Sequence, residues 1–301
     1  MTIKGDEHFG AKEREIATLV SLLDDSDDAV IPVVTEKIKN LKPNISTLLA
    51  LSNVYGNNGV MTHRLGRIIS EIRKNDLFNE LDSWRCERDP ELIKGLWLVY
   101  RMLFPDLSYE WIVDACMDMT KEVWMEITDD KTAVEKVHLY NHVFYHRIGF
   151  KVGDPFLSEP SMAFLDRALE RREANPVLFG LLYLEVAFRA GLPIRAVVFP
   201  GGFMPVCVDE NEQILFYINI FNTGEIFGVE QLITFLKNFG IPISKEQFFF
   251  GDAFTLAGIY AESLFYIGGC EGFPEIEQKM EQILTLFGEE RFLLMEEDDD
   301  E

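Results

Sequence analysis

Apolar residues in the first half of the chain recur every three or four positions, which is the period of an amphipathic helix. The predicted helices cover residues 11–23, 29–41, 45–54, 61–73, 90–104, 109–124, 131–147 and 161–172. Short acidic or Asn/Gly-containing turns separate the first of them. Paired helices of this length resemble HEAT-like repeats in pattern, and an irregular helical bundle is the alternative interpretation.

A helix that begins at residue 176 has the clearest boundary signals in the sequence. Asn175 is a favourable N-cap and Pro176 suits the first helical position, while Gly191 and Pro193 mark the end. Apolar residues cover nearly all of its faces, so we expect this helix to be buried. Glu185 interrupts the apolar pattern. A buried carboxylate needs a partner, which predicts an ion pair with Arg189 or Arg172, or else a role in a cleft.

Beyond this helix the apolar pattern shortens to the period of strands. The predicted strands cover residues 195–199, 204–209 and 213–220, and helices follow at 229–239, 256–267 and 274–287. The sequence therefore predicts an α+β protein, in which a buried helix packs on a small antiparallel sheet. The predicted segments are a helical domain at 1–127, a core at 128–250, a helical pair at 251–290 and an acidic tail at 291–301, of which the acidic run 296–301 is expected to be disordered.

Composition narrows the possible partners. The chain has 301 residues, of which 48% are hydrophobic, and a formal net charge of −23. Such an acidic chain is repelled by nucleic acid and by anionic membranes, so neither is an expected partner. The apolar stretch 177–188 is too short to span a bilayer and no secretory signal is evident, which predicts a cytoplasmic protein. Four scattered cysteines form no zinc-ribbon spacing, and we expect no cofactor.

Several short motifs carry a family resemblance, and they occur in order between about residues 138 and 224. They are Asn141, the run 144–150 that ends in Gly149-Phe150, the segments 165–166 and 169–172, Pro176 with the helix 182–187, Gly191-Leu192-Pro193, the run 199–203 and the turn 218–224. Together they resemble the SirB-type transglutaminase-like family. The resemblance implies a papain- or transglutaminase-like core.

Catalysis of this type needs a Cys nucleophile, a His base and an Asp or Asn that orients the His, and the orienting residue of this family is Asp. By the resemblance, these positions hold Pro176, Gly202 and Asn219 in this chain. Proline already stands at the nucleophile position in the SirB type, and this sequence departs further at the other two. The five His lie at positions 8, 63, 138, 142 and 146, all before the buried helix, so the usual chain order of the triad is not available. The sequence therefore predicts a protein without transglutaminase catalysis.

Other residues remain as candidates for binding or chemistry. His138, His142 and His146 follow one helical stripe that could hold a divalent metal, although an exposed surface is the simpler interpretation. The permuted pairing of Cys207 with an upstream His is a second alternative. The old cleft is the one that corresponds to the active site of transglutaminase-like enzymes. The residues that could line it are Asn175, Tyr183, Glu185, Phe203, Cys207 and Asn222.

The favoured function is a protein-interaction or scaffold module with an unidentified protein partner, since helical flanks often offer binding surfaces. The alternatives are a binder of a small molecule or peptide in the old cleft, a permuted cysteine hydrolase, or a metal-dependent enzyme.

Overall fold

A computed structural model describes residues 10–25, 27, 29–153, 159–238, 248–270, 272–288 and 292–293. The chain forms two compact units, Met1–Glu80 and Leu81–Glu301. Helices dominate, and one five-stranded antiparallel sheet lies in the second unit. The predicted α+β class is confirmed. The four predicted segments stay predictions, as does the choice between HEAT-like repeats and an irregular bundle.

The first unit is built from amphipathic helices. They are α1 (Ala11–Ser21), α2 (Val30–Asn40), α3 (Ile45–Val54) and the greater part of α4 (Gly59–Arg85). Their apolar faces meet in one core that includes Ile16, Val20, Ile38, Leu48 and Leu65. The four predicted helices are confirmed, but α4 continues 12 residues past its predicted end at 73. Leu77, Leu81 and Trp84 extend the buried stripe of α4 at helical spacing.

The described helices of the second unit include one that is buried in the core. They are α5 (Leu92–Arg101), α6 (Tyr109–Trp124), α7 (Ala133–His142), α8 (Leu165–Arg171), α9 (Pro176–Arg189), α10 (Val229–Asn238), α11 (Ala253–Cys270) and α12 (Pro274–Phe287). A π-helical turn, Val143–Arg147, continues α7. Every residue from Leu178 to Ala187 is buried, so the predicted burial of α9 is confirmed. α6, α11 and the sheet all pack against α9.

The sheet follows α9 and is antiparallel throughout. Its strands are β3 (Ile194–Phe199), β4 (Gly202–Val208), β5 (Ile214–Asn219), β6 (Glu225–Phe227) and β7 (Phe249–Phe250), in the order β6-β5-β4-β3-β7. Two short parallel strands, β1 (Lys151–Val152) and β2 (Glu173–Ala174), pair outside this sheet. The three predicted strands are confirmed to within two residues. The sequence pattern did not predict β1, β2, β6 and β7, because two or three residues are too few to show the alternation of a strand.

Among the residues that the structure describes, none of the helices is both long and apolar enough to cross a membrane. The acidic run 296–301 lies outside those residues.

Candidate functional site

The first turn of α9 is fixed by its capping residue. Asn175 is buried, and its Oδ1 accepts a hydrogen bond from the Leu178 backbone amide at 2.9 Å. Its Nδ2 donates to Ser263 Oγ on α11, also at 2.9 Å. Pro176 occupies the first helical position, where the missing N–H costs nothing. Asn175 thus ties α9 to α11 and places Pro176 at the edge of a pocket.

The pocket encloses about 210 Å³ between the start of α9 and the sheet. Pro176 and Gly202 meet in it, so two positions that the sequence singled out are brought together. Asn219 directly precedes the lining residue Ile220, and its Oδ1 accepts a hydrogen bond from the Phe221 amide at 3.1 Å. The lining consists of Pro176, Val177, Phe199, Gly201, Gly202, Phe203, Met204, Ile220, Phe221 and Leu293.

A tight turn between β3 and β4 presents Gly202 to the pocket. Phe199 and Gly202 face each other in the register of the two strands. Gly202 has φ +146° and Gly201 has φ +98°, which residues other than glycine rarely adopt. A Cβ atom on Gly202 would lie 3.9 Å from Leu293 Cδ2, so the space is available but the backbone conformation is unfavourable for a side chain.

A short segment, Phe292–Leu293, lies over the pocket. The Gly201 amide donates to the Phe292 carbonyl oxygen at 2.6 Å. Glu262 on α11 is only 2% exposed, and its Oε2 accepts hydrogen bonds from the amides of Phe292 at 2.9 Å and Leu293 at 2.7 Å. The Leu293 side chain forms part of the pocket lining. The segment is therefore held by its main chain as well as by an apolar contact.

The pocket floor depends on close packing between α9 and the sheet. A Cβ atom on Gly180 would lie 2.8 Å from Phe203 and 3.0 Å from Ile220, so glycine permits this approach. The Tyr145 hydroxyl donates to the Ile220 carbonyl oxygen at 2.7 Å and so fixes the backbone of the turn after β5.

A buried polar network anchors the other end of that turn. The Tyr183 hydroxyl donates to Asn141 Oδ1 at 2.6 Å, and Asn141 Nδ2 donates to the Gly224 carbonyl oxygen at 2.7 Å. Tyr140 donates to the Tyr183 carbonyl oxygen at 2.6 Å. Burial raises the pKa of Tyr183 well above its usual value, so the hydroxyl stays protonated and acts as a donor. Through Asn141, Tyr183 therefore fixes the turn that follows β5.

Residues 110–253, which contain α9 and the strands that frame the pocket, match a family model described as the transglutaminase-like superfamily. The match covers a little under half of the chain and supports a transglutaminase-like family for this segment. The buried helix followed by an antiparallel sheet is the layout that the sequence resemblance implied.

Curated relatives support the same family. A UPF0162 protein of Vibrio cholerae is 25% identical over 163 residues, 53% of this chain and 60% of the relative. A UPF0162 protein of Xylella fastidiosa is 27% identical over 159 residues, 52% of this chain and 54% of the relative. Protein SirB1 of Salmonella typhimurium is 25% identical over 154 residues, 51% of this chain and 56% of the relative. The resemblance to the SirB-type family is confirmed, while the match spans little more than half the length of these relatives. No solved structure matches the chain significantly.

Of the six predicted cleft residues, Phe203 lines the pocket of the transglutaminase-like domain. Asn175 and Tyr183 support it through buried hydrogen bonds. Asn222 is exposed, and its side-chain amide donates to Glu225 at 2.6 Å.

Glu185 borders a different pocket of about 500 Å³ that is also lined by Arg85, Arg88 and Arg195. Glu185 is 2% exposed and forms the predicted ion pair with Arg189, which also lies 3.2 Å from Glu91. Burial raises the pKa of Glu185, and the neighbouring Arg189 guanidinium opposes that change. This part of α9 holds an internal ion pair.

Cys207 lies on β4 opposite Phe216 and is fully buried. Burial raises the pKa of its thiol to about 11, the opposite of the change that activates a nucleophile. His138, His142 and His146 are exposed. Over the described part of the chain, no group of three or more His, Cys, Asp or Glu side chains is placed to hold a metal ion.

Sequence reasoning missed Glu262 and Leu293. Glu262 could have been found by the argument used for Glu185, since it is a lone carboxylate within the apolar run 256–267. Leu293 carried no signal, because it is far from the pocket in sequence and belongs to no regular element.

Proposed function

We propose that the chain is a transglutaminase-like protein without transglutaminase chemistry, which acts as a protein-interaction module. The observation that carries the proposal is the lining of the pocket at Pro176 and Gly202. The described lining residues include no Cys, His, Asp or Glu, and a segment of polypeptide lies across them. A site that already accepts a peptide main chain is suited to binding one.

The chemistry of acyl transfer supports the non-catalytic part. A nucleophile at the start of α9 would draw on the helix dipole and on a basic neighbour to form a thiolate. Pro176 has no such group. Gly202 has no side chain, and its backbone conformation disfavours one. Restoring a thiol and an imidazole would therefore require a change in the turn as well as two substitutions.

A direct assay tests the absence of chemistry. The full chain is incubated with a glutamine-containing peptide and a fluorescent primary amine, alongside the Cys207→Ala variant and an active transglutaminase as positive control. We expect neither this chain nor its variant to exceed the uncatalysed rate of amine incorporation or amide hydrolysis. Turnover that disappears in Cys207→Ala would establish a permuted cysteine enzyme instead.

A second experiment tests the interaction. Val177 is half-buried at the pocket, and Val177→Trp should fill it without touching the buried face of α9. Val33→Trp, at a 56% exposed valine on α2, is the matched control. We expect a protein partner purified with the wild-type chain to be lost from Val177→Trp and retained by Val33→Trp. A partner retained equally by both variants would place the interaction away from the pocket.

A further inference from the structure

We infer that the pocket is a recognition site for an extended peptide, that Gly201 and Glu262 read the peptide main chain, and that Phe292–Leu293 occupies this site until a competing peptide displaces it. The inference rests on the proposed function and specifies the class of ligand and its competitor. The ligand class is an extended peptide in which an aromatic residue is followed by a branched aliphatic residue.

Between described residues, three hydrogen bonds reach the main chain of Phe292 and Leu293. Gly201 donates to one carbonyl oxygen, and Glu262 accepts from two successive amides, at 2.6, 2.9 and 2.7 Å respectively. Any residue except proline can supply those two amides. The bonds to the carboxylate are charge-assisted, which makes them stronger than bonds between neutral groups. The site therefore recognises a backbone conformation first.

The carboxylate that accepts these bonds is built into the core. Glu262 is 2% exposed on α11, next to Ser263, which holds the N-cap of α9. Removing two N–H donors from a buried carboxylate is unfavourable. The site is consequently more stable with a peptide in place, and a competing peptide restores the same bonds when the segment leaves.

Side chains define which peptides fit. Leu293 shares the pocket with Val177, Phe203 and Phe221, while the ring centroid of Phe292 lies 5.8 Å from that of Phe249 on β7. An aliphatic side chain thus enters the pocket and an aromatic one packs beside it. A charged or prolyl residue at either position would lose these contacts or the amide.

Phe292–Leu293 also lies where a competing peptide can displace it. Phe221, on the wall of the pocket, is 56% exposed, so the contact opens to solvent on one side. Phe292 and Leu293 are themselves only half-buried, and segments with few buried contacts can open locally without global unfolding. A tethered segment competes at a high effective concentration, which lowers the apparent affinity for any free peptide.

The test measures binding of a fluorescein-labelled peptide with the sequence of residues 289–295 to the full chain, by fluorescence anisotropy. In the Leu293→Asp chain, a carboxylate would have to enter an apolar pocket near Glu262, so the segment should leave. We expect this variant to bind the peptide about tenfold or more tightly than wild type. Adding Glu262→Gln to Leu293→Asp should weaken binding again by about tenfold. A peptide that itself carries Asp at the position of Leu293 is the control and should not bind.

Two results would overturn the inference. One is a folded Leu293→Asp chain, with a wild-type circular dichroism spectrum, that binds the peptide no better than wild type. The other is global unfolding of Leu293→Asp and of the milder Leu293→Ala, which would make the segment a permanent part of the fold. Failure here is distinct from failure of the proposed function. A partner lost from Val177→Trp but unaffected by Leu293→Asp would leave the interaction module in place and remove only the competing segment.

Discussion

The two ends of α9 differ in the contacts that complete them. In its C-terminal half, Tyr183 and Glu185 are buried and bonded to fixed side chains within the domain, Asn141 and Arg189. At its N-terminal end, Pro176 faces an apolar pocket whose lining includes Leu293 from a distant segment. Asn175 bonds the N-terminal end to Ser263, but the pocket at that end is completed by Phe292 and Leu293, which lie in no helix or strand.

We expect the C-terminal half of α9 to contribute mainly to stability and its N-terminal end mainly to binding. Buried, bonded polar groups cost much to disrupt and so fix the position of the helix. The residues at the N-terminal end suit their backbone positions, with proline at the first helical position and glycine at a positive φ. Substitutions of Tyr183 or Glu185 should affect folding strongly, whereas a substitution of Pro176 should affect the pocket with little change in folding.

The largest effect is expected for Glu185→Ala. Removing the carboxylate leaves the half-buried Arg189 without its buried partner, which should lower the free energy of unfolding by about 3 kcal/mol. Urea denaturation followed by circular dichroism measures this. Glu91→Gln removes the 56% exposed partner of the same arginine, and we expect a change within about 0.5 kcal/mol. Equal losses for the two variants would contradict the idea that the buried pair fixes this end of α9.

The next effect is expected for Tyr183→Phe, which leaves the ring in place and removes the bond to Asn141. The buried Asn141 oxygen then lacks this donor, and the free energy of unfolding should fall by about 1–2 kcal/mol. Tyr217→Phe is the control, because Tyr217 is half-buried on β5 and its ring stacks on Phe227. A loss as small as that of the control would show that the network with Asn141 contributes little.

A smaller effect should appear in the pH dependence of stability. Burial raises the pKa of Glu185, so the folded chain binds this proton more readily than the unfolded chain. The associated stability is present at low pH and is lost as pH rises through the raised pKa. Relative to Glu185→Gln, which does not titrate, wild type should therefore gain stability between pH 7 and pH 5. Parallel urea titrations at the two values test the sign, and a relative loss on acidification would contradict it.

The same contrast explains what could be read from the sequence. α9 and β3–β5 were predictable because local caps and apolar patterns define them, and Glu185, the carboxylate that interrupts the pattern of α9, has its partner four residues along the same helix. The positions of Pro176 and Gly202 followed from the family resemblance. The role of Glu262 required knowing that a segment thirty residues later returns to it, and a long-range contact to an irregular segment leaves no periodic signal. For the same reason Asn141 could be noted as a motif residue but not as the anchor of Gly224.

The smallest effect on folding is expected for Pro176→Cys, which places a thiol at the start of α9. The residue is half-buried and its missing N–H is not needed, so the free energy of unfolding should change by no more than about 1 kcal/mol. The useful readout is chemical: the rate of iodoacetamide labelling at pH 8, resolved by site with mass spectrometry. Cys207 supplies the internal reference, because a pKa of about 11 leaves about one thiol in a thousand ionised at this pH.

We expect the introduced thiol to react faster than Cys207, and about tenfold faster again when Leu293→Asp is added, since the segment over the pocket is then displaced. The rate at Cys207 should stay the same in both backgrounds, which controls for a general loosening of the domain. If Leu293→Asp accelerated both sites equally, the two ends of α9 would open together and the separation between a fixed and an exchangeable end would not hold. If it accelerated neither, Phe292–Leu293 would not limit access to the pocket.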